Sequence, residues 1–152
     1  MSTKSDVAEA RFLSGYNCAQ SIVYAFSDAL QLDKGLGLKT ACGFGAGMGR
    51  KQEVCGAVTG GIIVIGLRYG RGENDDRKVT DLAYAKVREL MDRFAEKHGT
   101  FSCHKLLNEC ELNTEEGQKR FKEKDLLHKV CAPCVVSVAE ILEDLLEADR
   151  TL

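Results

Sequence analysis

The chain reads as an all-α protein, a compact helical bundle around a central apolar, glycine-rich helix at about residues 53–69. Three observations predict this. Pro133 is the only proline in 152 residues, and helix interiors tolerate proline badly because it lacks an N–H and clashes with the preceding turn. Apolar residues recur at helical spacing in several stretches. The longest apolar run, Val54 to Leu67, spans 14 residues; a membrane-spanning helix needs about 20, so a buried core helix fits better and no membrane span is expected. The composition, 44% hydrophobic and 29% charged, is that of a globular chain able to bury a core. The length predicts one domain, residues 1–152.

The elements follow in order. Ser2 to Leu13 predicts an opening helix stopped by Ser14-Gly15. Asn17 is placed to cap a second helix, whose face carries Cys18, Ile22, Ala25, Phe26 and Ala29. Asp33 is placed to cap a third, weakened by Gly35 and Gly37. The run "CGFGAGMGR" has glycine at every second position from Gly43 to Gly49 and predicts irregular backbone in a tight turn. It does not meet the glycine spacing of a dinucleotide-binding loop, and no strand precedes it.

The apolar helix, Glu53 to Tyr69, is expected to be surrounded by other helices and closed by Gly70. Gly56 and Gly60 lie four apart on one face, where a neighbouring backbone can approach. The clearest periodicity runs from Asp75 to Lys97, with a stripe of Val79, Leu82, Ala83, Val87, Leu90, Met91 and Phe94 and Gly99 as its stop. "FSCHKLLN" predicts a short helix carrying Cys103, and the charged segment from Thr114 to Val130 a solvated one. A last helix is expected from "CAPC" to about Ala148, with a core stripe of Val135, Val138, Ile141, Leu142 and Leu145.

A net charge of -2 gives no basic footprint for nucleic acid. The opening segment has no apolar stretch of a secretory signal, which predicts a cytoplasmic protein. In a reducing compartment, 7 cysteines point to metal ligation or redox chemistry rather than structural disulfides. Cys18, Cys55 and Cys131 each fall in the first turn of an expected helix, and Cys103 opens a short one. A helix start offers unpaired N–H groups and partial positive charge, which stabilise a thiolate. Arg50 and Lys51 precede Cys55 and could add to this. If the four helix starts converge, they make a four-sulfur site.

Cys131 and Cys134 spell Cys-Ala-Pro-Cys, but a thioredoxin-type site needs strands around it. The two sulfurs lie within one helical turn and could still form a disulfide, with Pro133 tolerated in the first turn. Covalent haem is not expected, because Val135 rather than histidine follows the second cysteine. His98 and His128 read as surface residues. His104, beside Cys103, is the best candidate among the nitrogen ligands.

The segments "GYNCAQS", "GFGAGMGRKQEVCGAVTG", "FSCHKLL" and "CAPCVVSVAEIL" together resemble the redox-active cysteine family C_GCAxxG_C_C, from about Phe12 to Leu142. By motif, the resemblance implies Cys18, Cys55, Cys103 and Cys131 as the family cysteines and leaves Cys42, Cys110 and Cys134 as additions without an assigned role. It implies a small helical redox protein with no established substrate, and similarity to helical modules of multi-cofactor redox proteins implies an iron–sulfur cluster.

Two redox readings stay level on the sequence. In one, the four cysteines ligate an iron–sulfur cluster for electron transfer, although spacings of 37, 48 and 28 residues between them require the fold to assemble the site. In the other, two of them exchange electrons as a dithiol. The alternatives are a structural zinc site and a non-catalytic helical interaction module whose thiols are buried and inert. The sequence names no redox partner and no oligomeric state.

Overall fold

The computed structural model describes residues 3–150, with side chains through Glu147. Its elements are α1 (Lys4–Leu13), α2 (Cys18–Phe26), α3 (Lys34–Cys42), the short turn α4 (Gly45–Met48), α5 (Gly56–Tyr69), α6 (Lys78–His98), α7 (Cys103–Leu106), α8 (Glu115–Glu123), a π-helical turn (Leu127–Cys131) and α9 (Ala132–Arg150). Among the described residues there is no strand or sheet, and one isolated bridge joins Val54 to Ser102. No helix among them is long and apolar enough to cross a membrane.

Caps fix the early helix starts. The Thr3 hydroxyl accepts from the Asp6 N–H while the Asp6 carboxylate accepts from the Thr3 N–H. Asn17 and Gln20 repeat this reciprocal arrangement at α2. Asp33 caps α3 through the Leu36 N–H. Each such cap stabilises its helix by about 1 kcal/mol. The second helix stops at Phe26, sooner than its periodicity suggests, and Ala29 lies exposed in the turn beyond it.

The core is built around the first half of α5, which packs against α2, α6 and α9. Glycine allows the closest approach. A Cβ at Gly60 would lie 2.8 Å from the Ala19 carbonyl oxygen, and one at Gly56 would lie 3.2 Å from the Cys18 Cβ. These two positions therefore bring α2 against α5, as their spacing predicts. On the other side, a Cβ at Gly61 would press on Leu90 of α6 and Val138 of α9. Val58, Val64 and Ile65 complete the buried faces. The far end is enclosed only in part: Tyr69 is buried but Leu67 is exposed, as is Leu82 on α6, which drops out of its expected core stripe. Gly70 ends α5 in extended backbone, donating to the Gly66 carbonyl, and Gly99 ends α6 in the left-handed region.

The glycine-rich segment is irregular as expected, but its form is unusual. Ala46, Gly47, Met48, Gly49 and Arg50 all have positive φ, so the chain makes a left-handed turn. For a non-glycine residue this conformation costs about 1–2 kcal/mol. Gly47 is required there sterically as well, since a Cβ would lie 2.8 Å from the Cys103 Cβ. Gln52, also at positive φ, is buried and offsets part of this cost. Its side chain donates to the Cys110 carbonyl at 2.6 Å and accepts from the Leu112 N–H at 2.8 Å.

The last helix begins inside "CAPC", at Ala132, as expected, but it does not start from free chain. The π-helical turn runs directly into α9, and the Ala132 N–H bonds to the Leu127 carbonyl, five residues back. Proline supplies a physical reason. Pro133 has no N–H to offer the preceding turn and its ring crowds that turn's carbonyls, and a widened turn relieves both problems. Cys131 therefore ends a helical turn and lacks the exposed N–H groups of a helix start.

Candidate functional site

Cys18, Cys55, Cys103, Cys131 and Cys134 line one cavity of about 430 Å3. Three helix starts deliver the first three. Cys18 is the first residue of α2, held by the Asn17 cap, and the Asn17 side chain also donates to the Cys42 carbonyl at the end of α3. Cys55 is the N-cap of α5 and Cys103 the first residue of α7. A short antiparallel pairing joins these last two: the Cys55 N–H donates to the Phe101 carbonyl at 2.8 Å and the Cys103 N–H to the Glu53 carbonyl at 2.6 Å. The π turn and α9 bring in Cys131 and Cys134, three residues apart on one face.

All seven cysteines are free thiols. Cys131 and Cys134 do not pair with each other; Cys18 meets Cys131, and Cys55 meets Cys134. In the second pair the proton has a preferred side. The Cys134 thiol donates to the Cys55 sulfur, and the Ala57 and Val58 N–H groups at the start of α5 add to this, so the Cys55 pKa falls below that of an ordinary thiol although burial opposes it. The Cys134 pKa rises in consequence, helped by burial and by the neighbouring sulfurs. Cys18 is raised by its hydrogen bond to Cys131, by burial and by the charge of nearby sulfurs. Burial pushes Cys103 up to about 12, with Cys55 and Cys131 adding to it. One negative charge is thus favoured among these sulfurs, on Cys55, and a second is opposed.

Arg50 reaches the cavity wall, whereas Lys51 does not. Cys42 is exposed at the end of α3. Cys110 does not line the cavity; it is buried behind it in a small cluster with Cys103 and Leu107, against which Cys131 also packs, and donates to the Gly117 carbonyl at 3.1 Å. The histidines lie off the cavity. His104 pairs with Glu111 at 2.9 Å, and His128, exposed, with Asp125 at 2.7 Å. His98 is half-buried at the end of α6 rather than fully at the surface. It stacks on Phe94, meets the Ser137 hydroxyl at 2.8 Å, and has its pKa lowered by burial and by Lys97. Among the described residues no three His, Cys, Asp or Glu side chains are grouped so as to hold a metal ion.

Sequence reasoning missed Cys134. Its spacing from Cys131 suggested a local dithiol, and nothing in the pattern pointed to a partner at the start of α5.

Helices that direct five thiols onto one apolar-walled cavity define an all-α protein with a clustered-cysteine site. The chain belongs to the family whose model matches residues 16–145, described as "Putative redox-active protein (C_GCAxxG_C_C)". It is also similar to an uncharacterized protein of Archaeoglobus fulgidus, 28% identical over 114 residues, covering 70% of this chain and 76% of that one. No solved structure matches it.

Proposed function

We propose that this protein carries out two-electron thiol–disulfide exchange, with Cys55 as the attacking thiolate and Cys134 as the resolving thiol. The carrying observation is the pairing of these two sulfurs at the start of α5, where one is favoured as thiolate and the other holds the proton. The Cys55 thiolate attacks one sulfur of a disulfide substrate, whose S–S bond breaks and whose other sulfur leaves as a thiolate and takes up a proton. Cys134 then loses its proton and attacks the Cys55 sulfur. This releases the second substrate thiol and leaves a Cys55–Cys134 disulfide. The substrate gains two electrons from the protein and two protons, one from Cys134 and one from solvent. Cys18 and Cys131 supply a second pair of thiols on the same cavity, and Cys103 a fifth sulfur.

The test is mass spectrometry of alkylated protein before and after a mild oxidant. The expected result is a reversible loss of two hydrogens, mapped by digestion to Cys55 and Cys134. Absence of any reversible loss overturns the reading.

A second reading, an iron–sulfur cluster, is supported by donor chemistry alone: Cys18, Cys55, Cys103 and Cys131 are the ligands such a cluster takes, but among the described residues no three of them are grouped to hold a metal ion, so binding would have to draw them together. The cluster would supply one-electron transfer. Because each thiolate disfavours the next, deprotonation of four would be driven by the metal itself. Iron and acid-labile sulfide in anaerobically prepared protein would support this reading, and a colourless, iron-free preparation would remove it.

A further inference from the structure

We propose that the cavity is a binding site for a small disulfide, or its dithiol, that combines an aliphatic body with a carboxylate. The redox step rests on the thiol–disulfide reading above; the binding does not.

Access sets the first limit on the substrate. Cys55 is 6% exposed and Cys134 1%, so a protein disulfide cannot be laid against them. A substrate must enter the cavity, whose volume of about 430 Å3 falls within the range of small-molecule sites, roughly 300–1,000 Å3. The walls set the second limit. Leu107, Leu127, Val130 and Phe121 line the space beside the sulfurs, and a ligand rich in amides and charges would lose its hydration there without return.

Charge sets the third. The protein has 23 acidic residues against 21 basic ones, yet no Asp or Glu lines this cavity. The charged side chains that do are Arg50 and Lys122, both exposed and therefore at its mouth. Neither has an ion-pair partner among the described residues. A carboxylate held at the mouth, an aliphatic chain along the wall and a disulfide at Cys55 satisfy all three limits. The electrons balance as in the exchange above: the ligand's S–S bond is reduced to two thiols while Cys55 and Cys134 are oxidised to a disulfide.

Octanoate tests the binding without any redox step, and oxidised lipoate tests the chemistry. By calorimetry on the reduced protein, octanoate is expected to bind and octanamide to bind more weakly. The double substitution Arg50→Gln with Lys122→Gln is expected to weaken octanoate roughly tenfold, about 1.4 kcal/mol, while Lys51→Gln leaves it unchanged. No octanoate binding, or binding indifferent to the double substitution, overturns the site. The reduced protein is expected to reduce lipoate at least about tenfold faster than glutathione disulfide, a polar competitor excluded by the walls, and to lose this preference in the double variant. Octanoate binding without lipoate reduction would retain the carboxylate site and overturn the exchange chemistry. Equal rates for both disulfides would overturn the selectivity.

Discussion

Cys55 and Cys110 are both buried thiols, at 6% and 1% exposure, yet they lie in opposite surroundings. The Cys55 pKa is lowered, chiefly by the Cys134 thiol and further by the Ala57 and Val58 N–H groups at the helix start, against the effect of burial. The Cys110 sulfur faces an acceptor, the Gly117 carbonyl, to which its thiol donates. Burial alone therefore says little about what a cysteine does. The direction of the dipoles facing the sulfur separates a candidate nucleophile from a packing residue.

The strongest way to break this contrast is to remove each sulfur in turn. Cys55→Ser is expected to abolish the fast phase of alkylation at neutral pH, a phase roughly tenfold or more faster than an ordinary thiol gives. Cys110→Ser is expected to leave it intact. Stopped-flow labelling reads both. The fast phase of the unmodified protein should persist below pH 9, because the Cys55 pKa is lowered from that value, and should fade only as pH drops through the shifted pKa.

A structural perturbation comes next. Gly60→Ala drives a methyl into the Ala19 carbonyl, forcing α5 away from α2 at an overpacking cost of about 1–3 kcal/mol. Chemical denaturation should register the loss. Labelling of Cys18 should accelerate, because the approach of these helices is what sequesters it. Gln52→Ala sharpens the comparison from the other side. It removes hydrogen bonds to the Cys110 carbonyl and the Leu112 N–H, at about 1–3 kcal/mol for leaving buried groups unsatisfied. Native-state labelling should then expose Cys110 more than Cys134.

The smallest effect concerns His98, whose ring meets Phe94 and Ser137. Its folded pKa lies below the ordinary 6.5, so the unfolded chain binds the proton more readily. Native stability should decline as pH falls through about 6.5 and level off below the folded pKa, by at most a few tenths of a kcal/mol for so exposed a group. His98→Gln should flatten that part of the profile in denaturation series between pH 5 and 8.

Much of the bundle is legible locally. Asn17 and Asp33 announce helix starts, and the Gly56–Gly60 spacing announces a close neighbour, because capping and steric clearance act over a few residues. The arrival of Cys18, Cys55 and Cys103 at helix starts follows from the same short-range rules. The left-handed turn is less legible. Ala46, Met48 and Arg50 adopt positive φ against their own preference, so tertiary contacts through Gly47 and Gln52 must impose it. The pairing of Cys134 with Cys55 was likewise invisible, because it joins positions 79 residues apart and depends on how α9 is set against α5. Pro133 hinted at a helix boundary, and the chain answered with a wider turn instead.

That wider turn also acts as a phase adjuster. An ordinary helix advances about 100° per residue, so the extra residue accommodated between Leu127 and Cys131 sets the azimuth of everything upstream relative to α9. Trimming one residue there would swing Leu127 and Val130 away from the space they now border, while Cys134 stayed anchored. The cavity's shape and its sulfur chemistry could therefore be re-engineered, or could diverge between relatives, independently of one another.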